Sequence, residues 1–126
     1  MHRRPCEAGV PVVCPAGGHA GYLDAGELLA HLPPRDYPAQ ALSNEIYLQG
    51  GVRSCGFGEL VHGDAMPLQL VRLALPRRVY TASHLEYVAE IVIGVMRAAR
   101  RIRPHTLLEG TGPLAHFTAR LEPARA

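Results

Sequence analysis

The 126 residues, 48% hydrophobic and 19% charged, are enough for one domain with a buried core and too few for two. A net charge of +2 is too small to point to nucleic acid, and Cys6, Cys14 and Cys55, an odd count without metal or disulfide spacing, argue against a secreted disulfide scaffold. All thirteen Lys+Arg residues are arginines, and no apolar run reads as a signal peptide or membrane span, so the expectation is a soluble, cytoplasmic protein.

"VPVVC", Val10 to Cys14, is a β-branched run between Gly and Pro and predicts a strand. "GGHAGYLDA" predicts a second, with Asp24 able to open the next element, and "AGELLAHL" reads as a short helix closed by Pro33 and Pro34. In "DYPAQALSNEIYLQGG", Asp36 is the expected N-cap, Pro38 fits the first turn and Gly50–Gly51 ends the helix. Leu42, Ile46 and Tyr47 share a face by helical spacing. Two strand-like runs follow, "VRSCGFGELVHG" and "LQLVRLALP", joined by a polar turn around Gly63 and Asp64.

Ser83 to about Arg103 predicts the strongest helix. "SHLE" has the form of a capping box, and Leu85, Val88, Ala89, Val92, Val95 and Met96 make an apolar stripe. Arg97, Arg100, Arg101 and Arg103 at its end fit an RNA- or acid-binding patch, or a solvated end matched to the helix dipole; the second is the commoner arrangement. "AHFTARLE" alternates, and predicts a closing strand with His116 and Thr118 on one side and Phe117 on the other. The order β–β–α–α–β–β–α–β gives an α+β (mixed α/β) domain, one mostly antiparallel sheet with helices on one face.

Arg72 stands out in "LVRLALPRRVYT". In an alternating strand Val71 and Leu73 face one way, and Arg72 the other beside Leu70 and Ala74. A buried guanidinium needs a carboxylate or phosphate partner, or an opening to solvent, and its planar fork suits a carboxylate. The wet face of a half-buried sheet also accommodates an arginine, and spacing alone favours that plainer role. His116 could orient an aromatic ligand or move a proton, and His19 follows two glycines that let backbone approach closely; either also fits a bystander. No histidine pair has zinc spacing, and neither a phosphate-binding glycine loop nor a nucleophile elbow is present.

Four segments in order, "EAGVPVVCPAGGHAGYLDA", "YPAQALSNEIYLQGGVRS", "LVRLALPRRVYTASHLEYV" and "LAHFTARLEP", resemble the carboxy-terminal quarter of the β-eliminating lyases, whose branches are tryptophanase and tyrosine phenol-lyase. The likeness runs from about Glu7 to Pro123 and implies the small carboxy-terminal domain of a fold-type I pyridoxal-phosphate lyase. In that family a large domain carries the lysine that binds the cofactor as a Schiff base. The enzyme releases the side chain of an aromatic amino acid, with the cofactor as electron sink. The resemblance implies that Arg72 grips the substrate α-carboxylate, which sets the Cα bond that breaks.

The position of Phe57 holds arginine in the phenol-lyase branch and an aliphatic residue in tryptophanase. Phenylalanine brings no charge to a phenol, so it leans toward an indole-like side chain. His116–Phe117 matches the His-Phe of the tryptophanase branch. By this likeness Arg72, His116, Phe57 and Phe117 bind substrate, with His19 in support. Three departures accompany it. The family's lysine, phosphate loop and cofactor-stacking aromatic belong to the large domain; Gly56 replaces an acidic residue; and a longer loop is cut to "DAMP".

A chain without lysine cannot form that Schiff base. The leading expectation is therefore the small subunit of a split, tryptophanase-like lyase. A large partner chain holds pyridoxal phosphate, an amino acid is the substrate, and neither nucleic acid nor membrane is a partner. The alternative is a non-catalytic remnant or regulatory module that binds an amino-acid carboxylate. An RNA-binding role for the arginine cluster lacks nearby aromatics for stacking.

Overall fold

A computed structural model describes residues 1–63 and 66–125. Its centre is the strand that carries Arg72. β3 (Leu70–Ala74) pairs antiparallel with β1 (Ala20–Asp24) on one side and β2 (Cys55–Phe57) on the other. The register sorts the side chains. Gly21 opposite Leu73, and Leu23 opposite Val71 opposite Gly56, form the core rows; Tyr22–Arg72–Cys55 and Asp24–Leu70–Phe57 form the alternate rows.

Two long helices complete the core. α3 (Pro38–Gly50) contributes Leu42 and Ile46, and α5 (Ala82–Arg97) contributes Val92, Ile93 and Val95, all in one cluster with Leu23, Val71 and Leu73. Each such side chain removed from water stabilises the fold by about 1.5–3 kcal/mol. The helices meet at Gly50, where a Cβ would lie 2.5 Å from Ile91 Cγ1, so this crossing requires glycine. Gly51, at φ +65°, ends α3 in the left-handed region as its position predicted. Tyr47 is half exposed and does not join Leu42 and Ile46 in the core.

The helix starts differ from expectation. Asp36 lies in a 3-10 turn, Pro34–Asp36, and Tyr37 in left-handed conformation precedes α3. At α5 the capping box is Thr81 with His84, not Ser83 with Glu86: Thr81 N donates to His84 Nδ1 at 3.1 Å. Two hydroxyl residues in "TAS" offer competing registers, and the extended backbone at Thr81 selects the earlier one. Glu86 instead pairs with Arg4 of α1 (Arg3–Glu7), tying the amino-terminal turn to α5. Asp24 does open α2 (Ala25–Leu28), its Oδ1 accepting from Glu27 N at 2.9 Å.

Three expected strands are corrected. Val10–Cys14 makes only one bridge, Val12 to Leu23, because Pro11 has no N–H to extend a ladder. "VRSCGFGELVHG" gives the three residues of β2, after which α4 (Glu59–His62) turns the chain; of the expected turn at Gly63–Asp64, Asp64 lies outside the described residues. "AHFTARLE" splits into α6 (Ala115–Thr118) and β5 (Arg120–Pro123). Four residues are too few for periods of 2 and 3.6 to differ, so alternation there could not identify a strand. β5 pairs antiparallel with β4 (His105–Glu109), for which the sequence offered no separate signal. The α+β class stands, with two antiparallel sheets in place of one.

His105, buried at the start of β4, accepts at Nε2 from Asn44 Nδ2 and donates from Nδ1 to the Arg103 carbonyl, each at 3.2 Å. Burial holds its pKa below the ordinary 6.5; the backbone bond to Arg103 and the charge of Glu45 oppose that shift, and the charge of Arg103 adds to it. The unfolded chain therefore binds the proton first, so stability is full above pH 6.5 and falls as pH drops through and below that value. Urea midpoints measured between pH 7.5 and 5 are expected to decline, with a shallower decline in His105→Asn. Equal slopes in the two proteins would assign the pH dependence to other groups.

Candidate functional site

Arg72 is half buried on the middle strand, and its Nε is fully buried without a hydrogen-bond partner among the described residues. The ion pairs among the described residues are Arg3–Glu7, Arg4–Glu86 and Arg4–Glu90, none of which involves it. Asp24, one row along the same sheet face, is engaged by the α2 backbone. A buried polar N–H left without an acceptor costs about 1–3 kcal/mol, so the site is poised for an acceptor from outside the domain. A carboxylate matches the guanidinium fork best.

Aromatic rings stand beside this cation. Tyr22 is directly opposite Arg72 on β1, and Phe57 occupies the next row on β2. The Tyr22 and Phe57 ring centroids are 6.4 Å apart at 57°. Phe57 also meets the His62 ring at 6.2 Å and 23°. Pairing with β3 positions Phe57, and α4 swings His62 back toward it. Between them Gly58 is buried, and a Cβ there would collide with Gln69 Oε1. Gln69 is 3% exposed, and both polar atoms of its side chain lack partners.

The other residues singled out by sequence lie further along. His116 and Phe117 sit on α6 with ring centroids 4.0 Å apart, Phe117 being 79% exposed. α6 packs against α4, which puts the pair on a neighbouring element, with no ring contact to Phe57 among the described residues. His19 is exposed at the far end of β1, where its carbonyl accepts from Leu75 N at 2.7 Å. The structure thus joins Arg72 and Phe57 on one face, keeps His116 and Phe117 adjacent to α4, and leaves His19 apart. Tyr22 and His62, which sequence reading passed over, enter the face through strand register and a one-turn helix; alternation in "AGYLD" put Tyr22 on one side of β1 but could not say which residue it opposes.

Gly56 is on the core side. A Cβ there would lie 3.3 Å from the Ala39 carbonyl carbon and 3.4 Å from Gln40 N, so α3 leaves no room for a longer side chain. Asp64 and Ala65 of the shortened loop lie outside the described residues. A separate cavity of about 480 Å³ opens at the end of β3, between Val52, Arg53, Ala74, Tyr80 and Tyr87. It is walled by none of the residues expected to bind substrate. Arg97, Arg100, Arg101 and Arg103 are all exposed, and no helix among the described residues is long and apolar enough to cross a membrane.

Comparison with known proteins bears on this arrangement. A tryptophanase of Salinibacter ruber is 43% identical over 124 residues, covering 93% of this chain and 26% of its own length. Tyrosine phenol-lyases of Pasteurella multocida and Intrasporangium calvum are 43% and 46% identical, over 92% and 94% of the chain. The chain is homologous to part of the tryptophanase and tyrosine phenol-lyase family. It spans about a quarter of the length of the curated relatives it matches. No protein-family model matches it. The two lyase names occur at the same level of identity, so overall likeness does not choose between the branches.

Pyridoxal phosphate, which the lyase likeness implies, does not fit the residues present. Its aldehyde needs an amine and its phosphate a cradle of backbone N–H groups, and the chain has no lysine. The orphaned atom at the site belongs to an arginine, which can pair with a carboxylate or a phosphate but cannot form the imine that the cofactor's aldehyde requires.

Proposed function

We propose that this domain supplies the substrate-carboxylate anchor and part of the side-chain pocket of a β-eliminating lyase whose pyridoxal phosphate is held by a separate chain. The carrying observation is the buried, unpaired Nε of Arg72 on an aromatic sheet face. With the α-carboxylate fixed by two parallel N–H···O bonds, rotation about the amino acid's Cα is restricted, and the bond to be broken is held in one orientation. Phe57 lines the side-chain end, and its lack of charge favours an indole-like group over a phenol. His116 and Phe117, on the neighbouring α6, close that end when substrate is bound, in a tryptophanase-like arrangement. Three exposed free thiols, Cys6, Cys14 and Cys55, suit a reducing cytoplasm.

The surface supports a docking partner. Leu114 is 61% exposed and Phe117 79%, and Leu108 on β4 is also exposed. An exposed apolar cluster of this kind is characteristic of protein interfaces. The test is reconstitution. A tryptophanase lacking the matched quarter, such as that of Salinibacter ruber, is mixed with this chain and followed by size-exclusion chromatography and pyruvate release. A heteromeric peak with turnover is expected. No change in size together with no turnover overturns the proposal, and carboxylate binding without assembly leaves an amino-acid-binding module.

A further inference from the structure

We propose that Tyr22 and His62 determine which side chain the site accepts, by extending Phe57 into a three-ring wall beside the Arg72 anchor. The inference rests on Arg72 as a carboxylate anchor and goes beyond it in assigning the two residues that flank Phe57. Tyr22 is the direct cross-strand neighbour of Arg72, so the wall begins where a bound carboxylate ends. The Phe57 ring lies 6.4 Å from that of Tyr22 and 6.2 Å from that of His62. Both separations fall within the range of interacting aromatic pairs, Tyr22 and Phe57 tilted and Phe57 and His62 close to parallel. Tyr22 and Phe57 are half buried and His62 is exposed, so none of the three residues is sealed from solvent.

The three residues also differ in chemistry along the wall. Phe57 is purely apolar, while the neighbouring Tyr22 and His62 bring a hydroxyl and an imidazole that can hydrogen-bond. A flat ring carrying one N–H or O–H, two or three bonds from a carboxylate, suits that combination. A bare aliphatic side chain would leave the ring faces partly wetted. Their different anchoring makes the two flanking residues separately testable. Tyr22 is half buried in β1, whereas His62 is exposed on α4 and can be changed without touching the core.

The experiment uses the full chain, labelled with ¹⁵N, and compares 3-phenylpropionate with propionate by NMR titration. Both are expected to shift the Arg72 Nε–H signal, and only the aromatic acid to shift signals of Tyr22, Phe57 and His62. The aromatic acid is expected to bind about tenfold tighter. Tyr22→Leu and His62→Ala should each lower that preference about threefold or more, the loss falling on the aromatic acid, while the Arg72 signal still responds to propionate. Equal affinities for the two acids, with Arg72 responding to both, overturn the wall and leave the anchor standing. An unchanged preference in both variants also overturns it. Silence of the Arg72 signal toward either acid overturns the anchor, and the wall with it.

Discussion

Arg72→Leu is expected to lower kcat/KM of the reconstituted lyase by at least about thirtyfold while leaving the free chain as stable as before or more so. Removing one partner of a desolvated, charge-assisted pair costs about 2–5 kcal/mol, which is a factor of about thirty to several thousand. The opposite effect on stability follows from the unpaired, buried Nε. Leucine replaces a polar group that has no internal partner, on a strand whose neighbours Val71 and Leu73 are already in the core. Such replacements are neutral or stabilising by about 1–3 kcal/mol. Arg72→Lys should retain part of the activity, because it keeps the charge and loses the fork. Steady-state kinetics on the assembled enzyme and a thermal melt of the free chain are the two measurements. Unchanged kinetics would remove the anchor; a large drop in midpoint would show that Arg72 holds the domain together instead.

Gly110→Ala is expected to destabilise the domain by about 3 kcal/mol or more, a fall of roughly 10 °C in midpoint for a chain of this size. Gly110 lies between β4 and α6 at φ +90°, and a Cβ there would sit 2.6 Å from Ala119 Cα and 2.7 Å from both Ala119 N and the Thr118 carbonyl carbon. All three are backbone atoms, so no rotamer change relieves the overlap. Gly112, at φ +108° with nothing within 4 Å of its Cβ, is the matched control: Gly112→Ala incurs only the backbone conformational cost of about 1–2 kcal/mol. Because α6 carries His116 and Phe117, the first variant should also displace their NMR signals while the second leaves them in place. Urea unfolding of both proteins reads the difference; equal losses would mean that the chain around Ala119 yields freely.

Much of this architecture is readable residue by residue. Asp24 opening α2, Pro38 and Gly51 bounding α3, and the buried stripe of α5 each depend on side chains within a few positions of one another. So does the contrast between Val71 and Leu73 on one side of β3 and Arg72 on the other. Neighbouring residues suffice to dictate such features, because caps, turns and periodic apolar faces are short-range.

What required the folded chain is the company Arg72 keeps. Strand pairing alone puts Tyr22 opposite it and Phe57 one row away, and a one-turn helix returns His62 to the same wall. Register is a relation between segments distant in the chain, Tyr22 with Arg72 and Phe57 with Leu70, and helix and strand periods coincide over four residues. No local pattern in "GELVHG" or "AHFT" could therefore declare a helix, or name the residue across the sheet. The sequence by itself determined that an arginine would stand on the strand's alternate face; tertiary packing decided that its Nε would be buried without a partner among the described residues, and that Tyr22 and Phe57 would share its face.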